Sequence, residues 1–489
     1  MHRQLRIVSL FIWFVPCAVL AQGTIHDAYE NFKQKAHADY EDFRNKVNKE
    51  YAEWMRQSWE WHDKIAPMPR PKDEMKPPVI YNKEREQKEF RPLPYEDITP
   101  TPSPLPQPKP IAPIRENDGD YQIASFRFFG TDGQVRLPKN YSFKLKERSE
   151  EAYASAWEEL SSEQYNNLIR DCLVLRMEHQ LCDWAYLMML GAMSEAVCGK
   201  GTNEATLLQA YVFCQSGYKM RLGFTEKRDL HLLFKSEHLI FDLDGIKMDD
   251  GLFYLLQPIE EEGLSVCDIS YPEEKPLSLW ITQEQIFAER NSKVRQLIPA
   301  DSLVTINTQV NENLIRFCES YPTSMIGEDI ISRWAMYAET PLSTKVRELL
   351  YPQLQNAMRK YQITDVVNAA DWLLYWVQTA FVYEYDDKVW GGDRAFFAEE
   401  TLYYPYCDCE DRSILYSHLV RDLLDLDVIL VFYPGHLATA VAFDTPVNGD
   451  YIDMNNKRFT ICDPTYIGAP IGATMPDMDN KTAKVILLQ

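Results

Sequence analysis

Positive charge is in short supply along this chain: 51 Lys and Arg stand against 73 Asp and Glu in 489 residues, a net charge of −22. A phosphate backbone is bound by cations that displace its counterions, so this balance excludes nucleic acid as a partner. Long apolar runs are also missing, since nothing beyond the first residues approaches the roughly 20 needed to cross a bilayer. That excludes a later membrane span. Cysteine is sparse, with ten in all. Removal of Cys17 with an N-terminal signal leaves an odd number, so at least one thiol stays unpaired. What is abundant is core material, 45% hydrophobic and 12% aromatic residues, enough for two or three domains.

The N-terminus reads as a secretory signal over residues 1–21: Arg3 and Arg6 precede an apolar run at 7–14, and Val19 and Ala21 precede a cleavage point. The expected mature chain begins at Gln22 and is secreted or periplasmic. Pro16 stands where a lipoprotein signal needs a small residue before Cys17.

Residues 25–63 show an 11-residue repeat, in which Tyr29, Phe32 and Ala36 are followed by Tyr40, Phe43 and Val47, then by Tyr51, Trp54 and Ser58. This period, about 3.67 residues per turn, keeps the stripe on one face of a long amphipathic helix. The stripe is expected to dock on the protein's own globular part or on a protein partner. Residues 64–117 are crowded with proline and read as a semi-rigid spacer.

Beyond the spacer the chain resembles itself. Asp183-Trp184 and Asp371-Trp372 each open a helical stretch; Asn203-Glu204-Ala205 parallels Cys409-Glu410-Asp411; His231-Leu232 parallels His436-Leu437; and Cys267-Asp268 parallels Cys462-Asp463. Four landmarks in one order point to a duplication, 118–295 and 300–489. The first copy has an amide, Asn203, where the second has a thiol, so it is expected to be inactive.

In the second copy, residues 411–426 carry apolar side chains at helical spacing, with Asp408 placed to cap. Cys409 then stands at a helix N-terminus, where amides and macrodipole are expected to favour the thiolate. Strands are predicted at 428–432, 436–443 and 459–462, the second presenting His436 with Ala438, Ala440 and Ala442 on one face and the last delivering Asp463 beside His436. Cys409, His436 and Asp463 are thus the candidate catalytic residues, a nucleophile, a base and the acid that fixes its tautomer. Duller readings are a Cys409 disulfide with Cys462, and a zinc site from Cys407, Cys409, His436 and Cys462, whose one-residue gap is unlike zinc spacing.

Over residues 366–465, on Asp371-Trp372, the Cys409-Glu410-Asp411-Arg412-Ser413 run, His436 and Asp463-Pro464-Thr465, the chain resembles the transglutaminase-like superfamily of papain-type cysteine enzymes. The resemblance implies an α+β fold of tandem modules, the first inactive, behind the helix and the linker. It implies that Cys409, His436 and Asp463 are the triad, needing no metal or organic cofactor. Leu437-Ala438 replaces the aromatic usual after the histidine. Gln378 and Trp390 are the candidates for an oxyanion donor. The implied activity is attack of the Cys409 thiolate on a protein or peptide amide, the thioester being resolved by water, as in a peptidase, or by an amine, as in cross-linking. The competing class is a binding or scaffold protein with both modules inactive. Two further segments remain: the acidic 242–251 stretch reads as hairpin turns rather than a calcium loop, and 383–400 reads as a lid or a surface loop.

Overall fold

The computed structural model describes residues 22–70, 76–82, 90–100, 114–327, 329–478 and 481–489. The expected signal, residues 1–21, lies outside them. Helices and strands mix in an α+β architecture.

The first region centres on a closed six-stranded barrel, in the order Glu60–Ile65, Gly263–Cys267, Met220–Phe224, Leu230–Lys235, Gly251–Leu255 and Gly245–Met248. Leu233, Ile246, Phe253, Leu264 and Val266 fill it. Gly245–Met248 and Gly251–Leu255 form the hairpin expected of the acidic stretch. The long helix ends at Met55, short of residue 63, and Glu60–Ile65 is a strand that closes the barrel against Gly263–Cys267 and Gly245–Met248. Close approach makes this closure possible, because a Cβ on Gly263 would lie 2.3 Å from the His62 carbonyl oxygen.

The helix docks on part of the expected stripe, with Tyr40 and Val47 partly buried beside the buried Tyr51. Tyr51, Ala52 and Met55 are buried against Trp157 and its neighbours, whereas Phe43 and Trp54 remain 50% and 56% exposed. The docked face is instead completed by polar residues. Asn48 Oδ1 accepts from Trp157 Nε1 and Gln215 Nε2, each at 3.1 Å, and Glu41 accepts from Arg44 at 2.9 Å and Asn166 at 3.0 Å. Buried polar groups cost little when each finds a partner, so apolar periodicity alone gives only part of the docked face.

The second region is an open six-stranded sheet in the order Tyr451–Met454, Lys457–Cys462, His436–Ala442, Val428–Tyr433, Ala483–Leu487 and Tyr95–Asp97. The Cys409–Leu424 helix packs on one face with Leu437 and Val441, while Ala440, Ile429, Val431 and Ile461 cover a second core on the other. The alanine face therefore looks away from the helix body. Residues 383–400 divide: Asp387, Lys388, Trp390 and Gly391 are exposed, while residues 395–400 are buried and the Ala398–Tyr403 helix packs against the Cys409–Leu424 helix.

The proline-rich stretch is no free spacer where it is described. Tyr95–Asp97 adds a parallel edge strand to Ala483–Leu487, Leu93 donates to the Tyr451 carbonyl at 2.8 Å, and Tyr81 donates to that of Ile467 at 2.9 Å. Few apolar residues are needed for this, because open sheet edges offer backbone partners to any extended chain.

The two regions share a helix-then-strands order but join their strands differently. Gly263–Cys267 pairs with Met220–Phe224 and not with the His231 strand, whereas Lys457–Cys462 pairs directly with His436–Ala442.

Candidate active site

Cys409 is the first residue of its helix, and the N-terminus is closed by Asp411 rather than by Asp408 alone. The Asp411 carboxylate accepts from the Asp408 amide at 3.1 Å and the Phe396 amide at 2.9 Å. Two further contacts fix the helix: Arg412, fully buried, donates to the Gln378 and Phe381 carbonyls at 3.2 and 2.8 Å, and Ser413 Oγ donates to the Leu437 carbonyl at 3.0 Å.

Antiparallel pairing of Thr439 with Cys462 brings the end of one strand beside the start of the other. His436 Nε2 consequently lies 2.8 Å from Asp463 Oδ2. Asp463 Oδ1 accepts from the Thr465 and Tyr466 amides at 2.9 and 3.1 Å, so this carboxylate is fully engaged as an acceptor. An acceptor on Nε2 holds the proton there and leaves the Nδ1 lone pair free. Nδ1 has no hydrogen-bond partner, and the ring is fully buried.

The thiol is close to this pair without being joined to it. The Leu437 amide, next after His436, hydrogen-bonds the Cys409 sulfur, but the thiol is turned to Glu410 Oε2 at 3.2 Å. Position at the helix N-terminus does not prevail: burial first, then the charges of Glu410 and Asp408, push the Cys409 thiol well above its ordinary value. The resting form is a protonated, fully buried thiol. Among the described residues no disulfide joins Cys409 to Cys462, against the disulfide reading.

The acids beside the thiol form a set. Asp386, Asp408 and Glu410 are buried, and one carboxylate oxygen of each lies within 4.8 Å of the others. Burial and the repulsion of neighbouring acids push Asp386 up to about 8 and Asp408 well up. Three converging carboxylates are also what a hard divalent cation accepts from a protein.

Neither expected oxyanion donor serves. Gln378 donates to the Asp463 and Ala469 carbonyls at 2.9 and 3.1 Å and accepts from the Gly468 amide at 3.0 Å. It positions the loop that carries Asp463. Trp390 packs on Arg394 and Tyr404. Burial first, then the neighbouring Cys409 and Asp408, push up the hydroxyl of Tyr383, which sequence reasoning passed over. No spacing pattern marks it, because parallel pairing of Val382–Tyr383 with Tyr406–Cys407 brings it there.

In the first region Asn203 is a structural tie: Oδ1 accepts from the Leu230 amide at 2.9 Å and Nδ2 donates to the Arg228 carbonyl at 2.7 Å. Asp268 pairs with buried Arg221 at 2.8 Å rather than with His231. Among the described residues no helix is long and apolar enough to cross a membrane. No protein-family model matches the chain, and no curated protein or solved structure matches it.

Proposed function

We propose that this chain is an exported cysteine hydrolase of the transglutaminase-like type, made of an inactive first module and a catalytic second one and acting on protein or peptide amides. The observation that carries this reading is the His436–Asp463 pair, whose carboxylate is clamped by two backbone amides while Nδ1 is left unpartnered one residue from the Leu437 amide that touches the sulfur. Rotation of the Cys409 side chain from Glu410 to Nδ1 would let the imidazole take the thiol proton. The thiolate then adds to the amide carbon, and the imidazolium returns the proton to nitrogen as the C–N bond breaks. Water adds to the thioester, gives a proton to His436, and releases the acid and the thiol. Asp463 holds the tautomer and offsets the imidazolium charge throughout. A primary amine in place of water would give cross-linking.

The scaffold reading is favoured by one observation, the complete burial of Cys409 and His436. Incubation with unfolded casein and a dansylated primary amine separates the three. New N-termini lost in Cys409→Ala support the hydrolase, and dansyl incorporation lost in the same variant supports the transferase. Neither product, even from a chain whose residues 76–81 are replaced by Gly and Ser, with the casein retained on the chain, supports the scaffold.

A further inference from the structure

The described part of the proline-rich stretch crosses the candidate site at a defined place. At one end Lys76 donates its amide to the Gly435 carbonyl at 2.8 Å, immediately before His436, and its own carbonyl accepts from the Tyr383 hydroxyl at 3.4 Å. At the other end Ile467 donates to the Val79 carbonyl and Tyr81 donates to the Ile467 carbonyl, both at 2.9 Å, four residues after Asp463. Residues 76–81 therefore lie between the turn that begins the histidine strand and the loop that follows the aspartate. Pro77 and Pro78 have no amide to donate and favour an extended backbone, which suits the span between these two anchors.

The side chains alternate as in a bound strand. Val79 and Tyr81 pack on the second core, with Tyr81 edge-on to Tyr466 at 5.4 Å, whereas Ile80 is 78% exposed. Backbone pairing for affinity, with pockets for alternate residues, is how a sheet edge receives an extended peptide. The Lys76 carbonyl also accepts from Tyr383, whose strand pairs with Tyr406–Cys407 just before the nucleophile.

We infer that residues 76–81 occupy the acyl-donor cleft, that the cleft takes an extended peptide with an aliphatic and an aromatic residue at alternate positions, and that the chain as folded is held inactive by its own segment. This rests on the hydrolase reading above. A linked segment competes at an effective concentration near millimolar, so a free peptide must displace it or the segment must be released first.

The test uses the full chain with Val79→Ser and Tyr81→Ser together, and a second full chain in which residues 76–81 are replaced by Gly and Ser. Hydrogen exchange of the Lys76 and Tyr81 amides reports release of the double variant. Cys409 alkylation by iodoacetamide at pH 7.5 is then timed by mass spectrometry. The expected result is a rate at least about tenfold above the parent in both variants, as access to the thiol opens. The peptide Lys-Pro-Pro-Val-Ile-Tyr, added at millimolar concentration, should slow it again. An unchanged rate in the Gly/Ser chain overturns the inference, as does a peptide without effect on an accelerated rate. Acceleration that is reversed by peptide but indifferent to His436→Ala leaves the cleft standing and sinks the hydrolase reading. Slow labelling in both variants that still depends on His436 does the reverse.

Discussion

Asp463→Asn should leave the fold standing and disarm the histidine, and the energetics say why. In the parent one carboxylate oxygen serves the Thr465 and Tyr466 amides and the other serves His436 Nε2. An asparagine can turn its oxygen to only one side. Facing the imidazole with oxygen would aim NH₂ at two buried amides, leaving both unsatisfied at about 1–3 kcal/mol each. Facing the amides with oxygen keeps both bonds, weakened by roughly 1 kcal/mol each through loss of charge. The ring then need only move its proton from Nε2 to Nδ1, so the second arrangement wins at a net cost of about 2 kcal/mol. Nδ1 thereby becomes a donor and can no longer take the thiol proton, which in a triad costs on the order of 10³–10⁴ in rate. Long-range ¹H–¹⁵N spectra of the histidines read the tautomer, and urea unfolding reads the stability. A ring that keeps its proton on Nε2 in Asp463→Asn, or a variant as active as the parent, would refute the reasoning.

Gln378→Ala removes three hydrogen bonds to buried backbone groups at once and should lower unfolding stability by roughly 3–6 kcal/mol, read by urea unfolding. A loss below 1 kcal/mol would mean water replaces it, by the same principle at about one bond's worth. Asp386, pushed up from 3.8 to about 8, binds more protons folded than unfolded between those values, so stability should fall as pH rises from 4 to 8. Asp386→Asn should flatten that decline in the urea midpoint, and a midpoint that rises with pH in the parent and is unmoved by the variant would contradict it. Glu410→Gln removes the charge that most raises the thiol and should speed Cys409 alkylation at pH 7.5, once the 76–81 segment is released.

The second half of the chain was legible because its signals are local. The Cys409–Leu424 helix, the Val428–Tyr433 and His436–Ala442 strands and the Lys457–Cys462 strand stand within a few residues of their expected places, and the pairing that sets Asp463 beside His436 followed from their order. What escaped was set by distant contacts. Glu60–Ile65 became a strand because two barrel edges were open to it, residues 90–100 settled on a sheet edge, and residues 76–82 on the Gly435 turn and the Ile467 loop, none of which periodicity announces. The thiol's environment was misjudged for a similar reason. A helix N-terminus is visible in sequence, but Asp386 arrives from over twenty residues away, and burial with Glu410 outweighs a partial dipole charge.

The most direct test of the central claim, that His436 arms Cys409, is acyl transfer from p-nitrophenyl acetate, with the acetyl group located by peptide mass mapping in the parent and in the chain with 76–81 replaced. The account predicts a burst of nitrophenolate from the replaced chain and acetyl on Cys409, both abolished by His436→Ala. Acetylation of Cys409 that proceeds equally without His436, or that falls on surface lysines instead, would contradict it.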